Sequence, residues 1–125
     1  MIIGIGCDIV QHEVTSKLGW DKKPRALLRI FSLSERKQIN KIQTINFISG
    51  RFAAKEAVLK SLGIVMEDGI SLTDIQILQS GKGKPQVKLK GGVMKVAQEL
   101  GVKSIHISIS HSKDYSIAFA IAERI

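Results

Sequence analysis

Cysteine is nearly absent: Cys7 stands alone among 125 residues, so no disulfide can form within the chain. A reducing compartment fits that usage. Cys7 lies among apolar residues near an expected strand and reads as a small buried hydrophobe, a reactive thiol being the alternative. Only six residues are aromatic, too few for a platform on which single-stranded bases stack. No stretch approaches the ~20 apolar residues of a membrane span. The opening segment, Met1 to Asp8, lacks the basic n-region of a secretory signal. The expected location is the cytoplasm. Acidic residues are the minority, 11 against 19 basic, for a net charge of +8. Such a field attracts anions, whether nucleic acid, phosphorylated small molecules or an acidic protein.

What is present points to one domain over residues 1–125, since 44% hydrophobic residues can supply a core without staples. A chain this short still buries only about two-thirds of its unfolded surface, so burial by oligomerisation would add to it. Residues 2–10 alternate as a strand, with Ile3, Ile5, Cys7 and Ile9 on one face and Gly4, Gly6 and Asp8 on the other. The second face has no side chain until the carboxylate, which leaves room for something to approach the backbone. Residues 12–43 are charged and helix-prone. Pro24 suits a first helical position, and Ser34 is a candidate N-cap for a helix from Glu35 to Ile42.

The strongest helix is expected from about Asn46 to Leu62. At ~100° per residue Phe47, Ile48, Phe52, Val58, Leu59 and Leu62 form an apolar arc. Arg51 and Lys55 fall inside that arc, either snorkelling from it or meeting an anion or carboxylate at its edge. Glu56 and Lys60 share another face, flanked by Ala53 and Ala57. After Gly63 come a loop, a strand near Asp74 to Gln79, a turn over Ser80-Gly81-Lys82-Gly83-Lys84-Pro85, and a strand from Gln86 to Lys90. That turn lacks the spacing of a phosphate-binding P-loop. A short helix, Gly91 to Leu100, stops at Gly101. A hairpin closes the chain. Ile105, Ile107 and Ile109 alternate with His106, Ser108 and Ser110, and Ile117, Phe119 and Ile121 with alanines. One face is expected to be bulky and the other small, so that a sheet or subunit packs closely on the small one.

Chemistry could come from few places. Asp8 and Glu56, with water and phosphate oxygens, suit Mg²⁺, which seldom gets an all-protein cage. Lys60 would neutralise a phosphate. The alternatives are that Asp8 caps a following helix and that Glu56 and Lys60 serve helix stability alone. His111 is either a turn histidine bonded to backbone or a phosphate donor or general base. His106, mid-strand among serines, fits a structural or interface role.

Four segments together carry a resemblance: Ile5-Gly6-Cys7-Asp8-Ile9-Val10; Gly50-Arg51-Phe52-Ala53-Ala54-Lys55-Glu56-Ala57-Val58-Leu59-Lys60-Ser61-Leu62-Gly63; Gly83-Lys84-Pro85; and His106-Ile107-Ser108-Ile109-Ser110-His111-Ser112. In order, spacing and chain length the sequence resembles the holo-acyl-carrier-protein synthase family of 4′-phosphopantetheinyl transferases. The resemblance implies an α+β fold, with a small antiparallel sheet around a long central helix and a trimer with active sites between subunits. It implies transfer of 4′-phosphopantetheine from coenzyme A to a serine of apo acyl carrier protein, in support of fatty acid synthesis. Asp8 and Glu56 would be Mg²⁺ ligands, and Lys60 would contact coenzyme A phosphate. Arg51, Gly83, Lys84, Pro85, Ser110 and His111 match positions near the coenzyme A site. Arg25 and Arg29 match basic positions that recognise the acidic carrier, with neither nucleic acid nor membrane as partner. The family's arginine shortly after the aspartate signature is replaced by Val14, with Lys17 nearby. Its threonine and glycine after Gly63 are replaced by Ile64 and Val65.

Overall fold

The computed structural model describes residues 1–42, 44–67, 69–79 and 81–125. Gln43 and Ser80, which end the helix-prone stretch and begin the expected turn, lie outside the described residues. The fold is α+β. The chain runs β1 (Ile2–Gln11), α1 (His12–Leu18), a 3-10 turn (Pro24–Leu27), α2 (Leu33–Ile42), α3 (Ile45–Ser61), a 3-10 turn (Leu72–Asp74), β2 (Ile75–Leu78), β3 (Gln86–Leu89), α4 (Gly91–Glu99), β4 (Ser104–His111) and β5 (Tyr115–Glu123). The strands form an antiparallel sheet in the order β1-β5-β4 and a separate β2-β3 hairpin. No helix among the described residues is long and apolar enough to cross a membrane.

α3 packs along the inner face of the three-stranded sheet, where β5 and the start of β1 carry little side chain. Ser116, Ala118, Ala120 and Ala122 of β5 are fully buried there. Gly4 and Gly6 of β1 let the helix backbone approach more closely still. A Cβ on Gly6 would stand far inside van der Waals contact of the Ala57 carbonyl oxygen and 2.7 Å from the Ser61 nitrogen. Helix backbone cannot yield as a side-chain tip can, so Gly6→Ala should cost about 3 kcal/mol or more, at or beyond the upper end for overpacking. The urea midpoint reads this directly, and an unchanged midpoint would mean that the close approach is not needed.

Register corrects the expected hairpin faces. Ile105, Ile107 and Ile109 pair with Ala122, Ala120 and Ala118, so the bulky residues of one strand share a face with the small residues of the other. The small face of β5 is taken by α3. Phe119 and Tyr115 point outward with Ile5 and Ile9 of β1, all four exposed. Cys7 lies on that outer face and is exposed, contrary to the buried reading. Inward positions of β1 belong to the glycines, and alternation leaves the sulfur outside.

A smaller core joins Leu27, Phe31, Ile39 and Ile48. Burying each such side chain contributes roughly 1.5–3 kcal/mol. The expected helix after Pro24 shortens to a single 3-10 turn. α2 starts earlier than expected, and its cap is Ser32, not Ser34. The Glu35 N–H donates to Ser32 Oγ (3.3 Å), and the Ser32 N–H donates to Glu35 Oε1 (2.9 Å). Ser32-Leu33-Ser34-Glu35 is a capping box, which needs the serine three residues before the glutamate.

Candidate active site

The glycine approach sets the first cluster. On the inner face of β1 the next position after Gly6 is Asp8, and α3 brings Lys60 to it. Lys60 Nζ donates to Asp8 Oδ1 (3.1 Å) and to the Cys7 carbonyl (2.9 Å). Glu56, one turn before Lys60, feels both. Burial and then the Asp8 charge push its carboxyl pKa up, while Lys60 pulls it down. Two half-covered carboxylates that repel each other form an oxygen donor set with spare capacity for a hard divalent ion. Mg²⁺, taking one or two carboxylates and completing its shell with water and substrate oxygens, fits that set. Among the described residues no group of three or more His, Cys, Asp or Glu side chains could hold a metal.

The second cluster lines a cleft of about 440 Å³ between the start of α3, the end of β4 and the β2-β3 hairpin. Its walls include Gly50, Arg51, Lys84, Pro85 and His111. The Arg51 side chain is buried. It donates from one terminal nitrogen to Gln79 Oε1 (3.2 Å) and lies over the Phe47 ring (4.6 Å), but its Nε has no partner among the described residues. Burial pushes the guanidinium pKa down and the Glu35 charge pushes it up. A charged arginine at a cleft wall, its Nε enclosed, can meet an anion only through its terminal nitrogens. Gly50 is bare because His111 lies over it: an added Cβ would sit 2.5 Å from His111 Cε1.

The residues singled out by sequence thus fall into two groups. Lys60 bonds Asp8, and Glu56 feels the charge of both; Arg51, Lys84, Pro85 and His111 line one cleft. The cleft lining contains none of the first group. Glu56 lies five positions after Arg51, or about 140° around α3, so the chain presents them on different sides. Gly83 and Ser110 are exposed beside the cleft without lining it. Sequence reasoning passed over Gln79, which holds Arg51, and Phe47, which it assigned to the core. Ser108 also lines the cleft and sat within a quoted motif. His106 pairs with Glu123 (3.1 Å) on the outer sheet face, in keeping with a structural or interface role. Arg25 and Arg29 are exposed and join no ion pair among the described residues. Val14 is exposed on α1, and Lys17 pairs with Glu13 (3.0 Å). Ile64 packs against the core and Val65 is exposed.

Comparison with known proteins gives a consistent result. The family model described as the 4′-phosphopantetheinyl transferase superfamily matches residues 4–120. A holo-[acyl-carrier-protein] synthase of Clostridium tetani is 39% identical, over 98% of this chain and 97% of its own. The crystal structure of the Neisseria meningitidis holo-[acyl-carrier-protein] synthase superposes with a TM-score of 0.88 at 30% identity, covering 99% of this chain and 100% of that one. The Helicobacter pylori enzyme of the same name, solved in complex with coenzyme A, does so with a TM-score of 0.81 at 30% identity, covering 95% and 99%.

Proposed function

The chain belongs to the 4′-phosphopantetheinyl transferase superfamily, and from that premise we propose that it is a holo-[acyl-carrier-protein] synthase acting as one transferase unit over residues 1–125. It moves 4′-phosphopantetheine from coenzyme A to a serine of apo acyl carrier protein. The serine oxygen attacks the β-phosphorus while its proton passes to a base (Glu56, a water or His111), and adenosine 3′,5′-bisphosphate leaves. The observation that carries the reading is the Lys60–Asp8 pair where α3 crosses β1, with Glu56 one helical turn before Lys60 and sensing both charges.

Phosphoryl transfer asks a protein mainly for positioning and charge neutralisation. Asp8 and Glu56 would hold Mg²⁺, which supplies Lewis-acid neutralisation of diphosphate oxygens when bound. Lys60 is anchored by the Cys7 carbonyl and half exposed, so it can turn its charge toward a phosphate. Arg51 brings its charge to the cleft wall for another phosphate of the nucleotide, and Lys84 adds charge at the rim. Gly83 and Ser110 stand next to that rim and would line it once the nucleotide is bound.

The separation of the two clusters around α3 supports a trimer in which each site takes its carboxylates from one subunit and its cleft from a neighbour. The exposed Ile5, Ile9, Tyr115 and Phe119 supply an apolar sheet face for that contact. Arg25 and Arg29, free on the surface, suit an acidic carrier. Val14 removes one cation from α1, so docking leans on them and on Lys17. The cytoplasm, where coenzyme A and carrier proteins meet, is the matching location.

Mass spectrometry of an apo acyl carrier protein incubated with this protein, coenzyme A and Mg²⁺ tests the proposal. The carrier should gain one phosphopantetheine. Free phosphopantetheine with an unmodified carrier would instead mark a pyrophosphate hydrolase. Tight, salt-sensitive binding of DNA or RNA with no covalent product would mark a nucleic-acid module.

A further inference from the structure

His12 opens α1 with its side chain buried, on an element that carries no part of the site described above. Its Nδ1 lies 3.0 Å from the Lys113 carbonyl oxygen, and its Nε2 lies 2.8 Å from Ser116 Oγ. Ser116, fully buried, lies 2.7 Å from His111 Nδ1 in turn. These three contacts leave little freedom in where protons sit. A carbonyl only accepts, so the His12 proton is on Nδ1. A neutral imidazole has one N–H, so His12 Nε2 accepts, and it accepts the Ser116 hydroxyl proton. The remaining contact of Ser116 Oγ, 3.4 Å to the Asn46 carbonyl, is too long to compete. With its proton committed, Ser116 Oγ accepts from His111, which places the His111 proton on Nδ1. His111 Nε2 then carries a bare lone pair. It has no hydrogen-bond partner among the described residues, and the Cε1–Nε2 edge lies over Gly50 at the cleft wall.

We propose that His12 is a positioning residue that, through Ser116, holds His111 as its Nδ1–H tautomer and so presents Nε2 to the cleft as an acceptor. His111 therefore takes a proton or hydrogen bond from a hydroxyl or amino group of the cleft's occupant, rather than donating to a bare phosphate oxygen. Burial, with the Arg51 charge adding to it, pushes the His111 pKa down, which favours the neutral ring that this tautomer requires. The consequence for turnover rests on the transferase reading; the tautomer does not.

Long-range ¹H–¹⁵N spectra of the histidine rings in the labelled full chain at neutral pH read the tautomer without any substrate. In the unmodified protein His111 should show a protonated Nδ1 and a bare Nε2. Ser116→Ala, and separately His12→Gln, should move the His111 proton at least partly to Nε2. A His111 proton on Nε2 in the unmodified protein, or spectra unmoved by Ser116→Ala, would overturn the proposal. In the carrier assay Ser116→Ala should lower kcat about tenfold or more with KM within about twofold. A tautomer change that leaves kcat intact would remove the positioning role. Absence of transfer by the unmodified protein would count against the proposed function alone, because the spectra would still decide the tautomer.

Discussion

Glu56→Gln should abolish transfer while making the metal-free protein more stable. Turnover should fall about 10²–10³-fold or more, the scale on which a preorganised charge-stabilising group acts. Stability should rise because the folded state strains this carboxylate: burial and the Asp8 charge both disfavour its ionised form. The raised pKa means that the folded chain holds the Glu56 proton at pH values where the unfolded chain has released it. Stability therefore drops as pH climbs from the ordinary glutamate value through the folded one, and the deficit persists above. Glutamine removes the deficit. A gain of about 3 °C in melting temperature near neutrality, vanishing in acid, is the expected signature. Added Mg²⁺ should raise the melting temperature of the unmodified protein by mass action and leave that of Glu56→Gln nearly unmoved. A variant that is inactive and less stable at neutral pH would show that Glu56 supports the fold, not a strained site.

Lys55→Met should nearly unfold the protein. The ammonium is completely buried and lies 2.7 Å from Glu35 Oε1, whose side chain is 3% exposed. Burial pushes the Lys55 pKa down and Glu35 opposes it. Breaking such a pair from one side costs about 3–5 kcal/mol, because the remaining charge is stranded. Replacing both partners by apolar residues often restores stability elsewhere. Here it should not, because the pair also satisfies backbone. Lys55 Nζ donates to the Leu72 carbonyl at 2.9 Å and to the Ile75 carbonyl. Glu35 accepts from the N–H groups of Ser32 and Ile77. Lys55→Met with Glu35→Leu would take away the partners of the Ile75 carbonyl and of the Ser32 and Ile77 N–H groups, while the Leu72 carbonyl keeps the Ile75 N–H. Denaturant melts of the two single variants and the double variant should show no recovery. Recovery to near the original midpoint would mean that the backbone contacts carry little.

The alternative posed for Lys55 from the sequence was snorkelling or meeting a carboxylate, and nothing local could choose between them. Its partner lies twenty residues earlier, on a helix whose approach depends on β2. The same limit explains Cys7: period-two alternation put it opposite Gly6, but which face turns inward was settled by where α3 lies. The hairpin failed for a related reason. Alternation along β4 and along β5 was legible, whereas the register that matches Ile107 to Ala120 is a property of the pairing. The capping box is legible in the sequence, because Ser32 stands three residues before Glu35 and Ser34 only one.

By itself the amino-acid order determined the α+β layout, the extent of the central helix to within a residue or two, and the residue types needed for phosphate chemistry. Those are local matters, governed by side-chain period, turn-forming glycines and charge. Only the tertiary structure decided that a glycine-bare strand lets α3 carry Lys60 to Asp8, that Arg51 is buried against Gln79, and that His12 reaches His111 through Ser116. Each of these joins residues tens of positions apart, and separations of that kind are fixed by packing, which no short stretch of chain encodes.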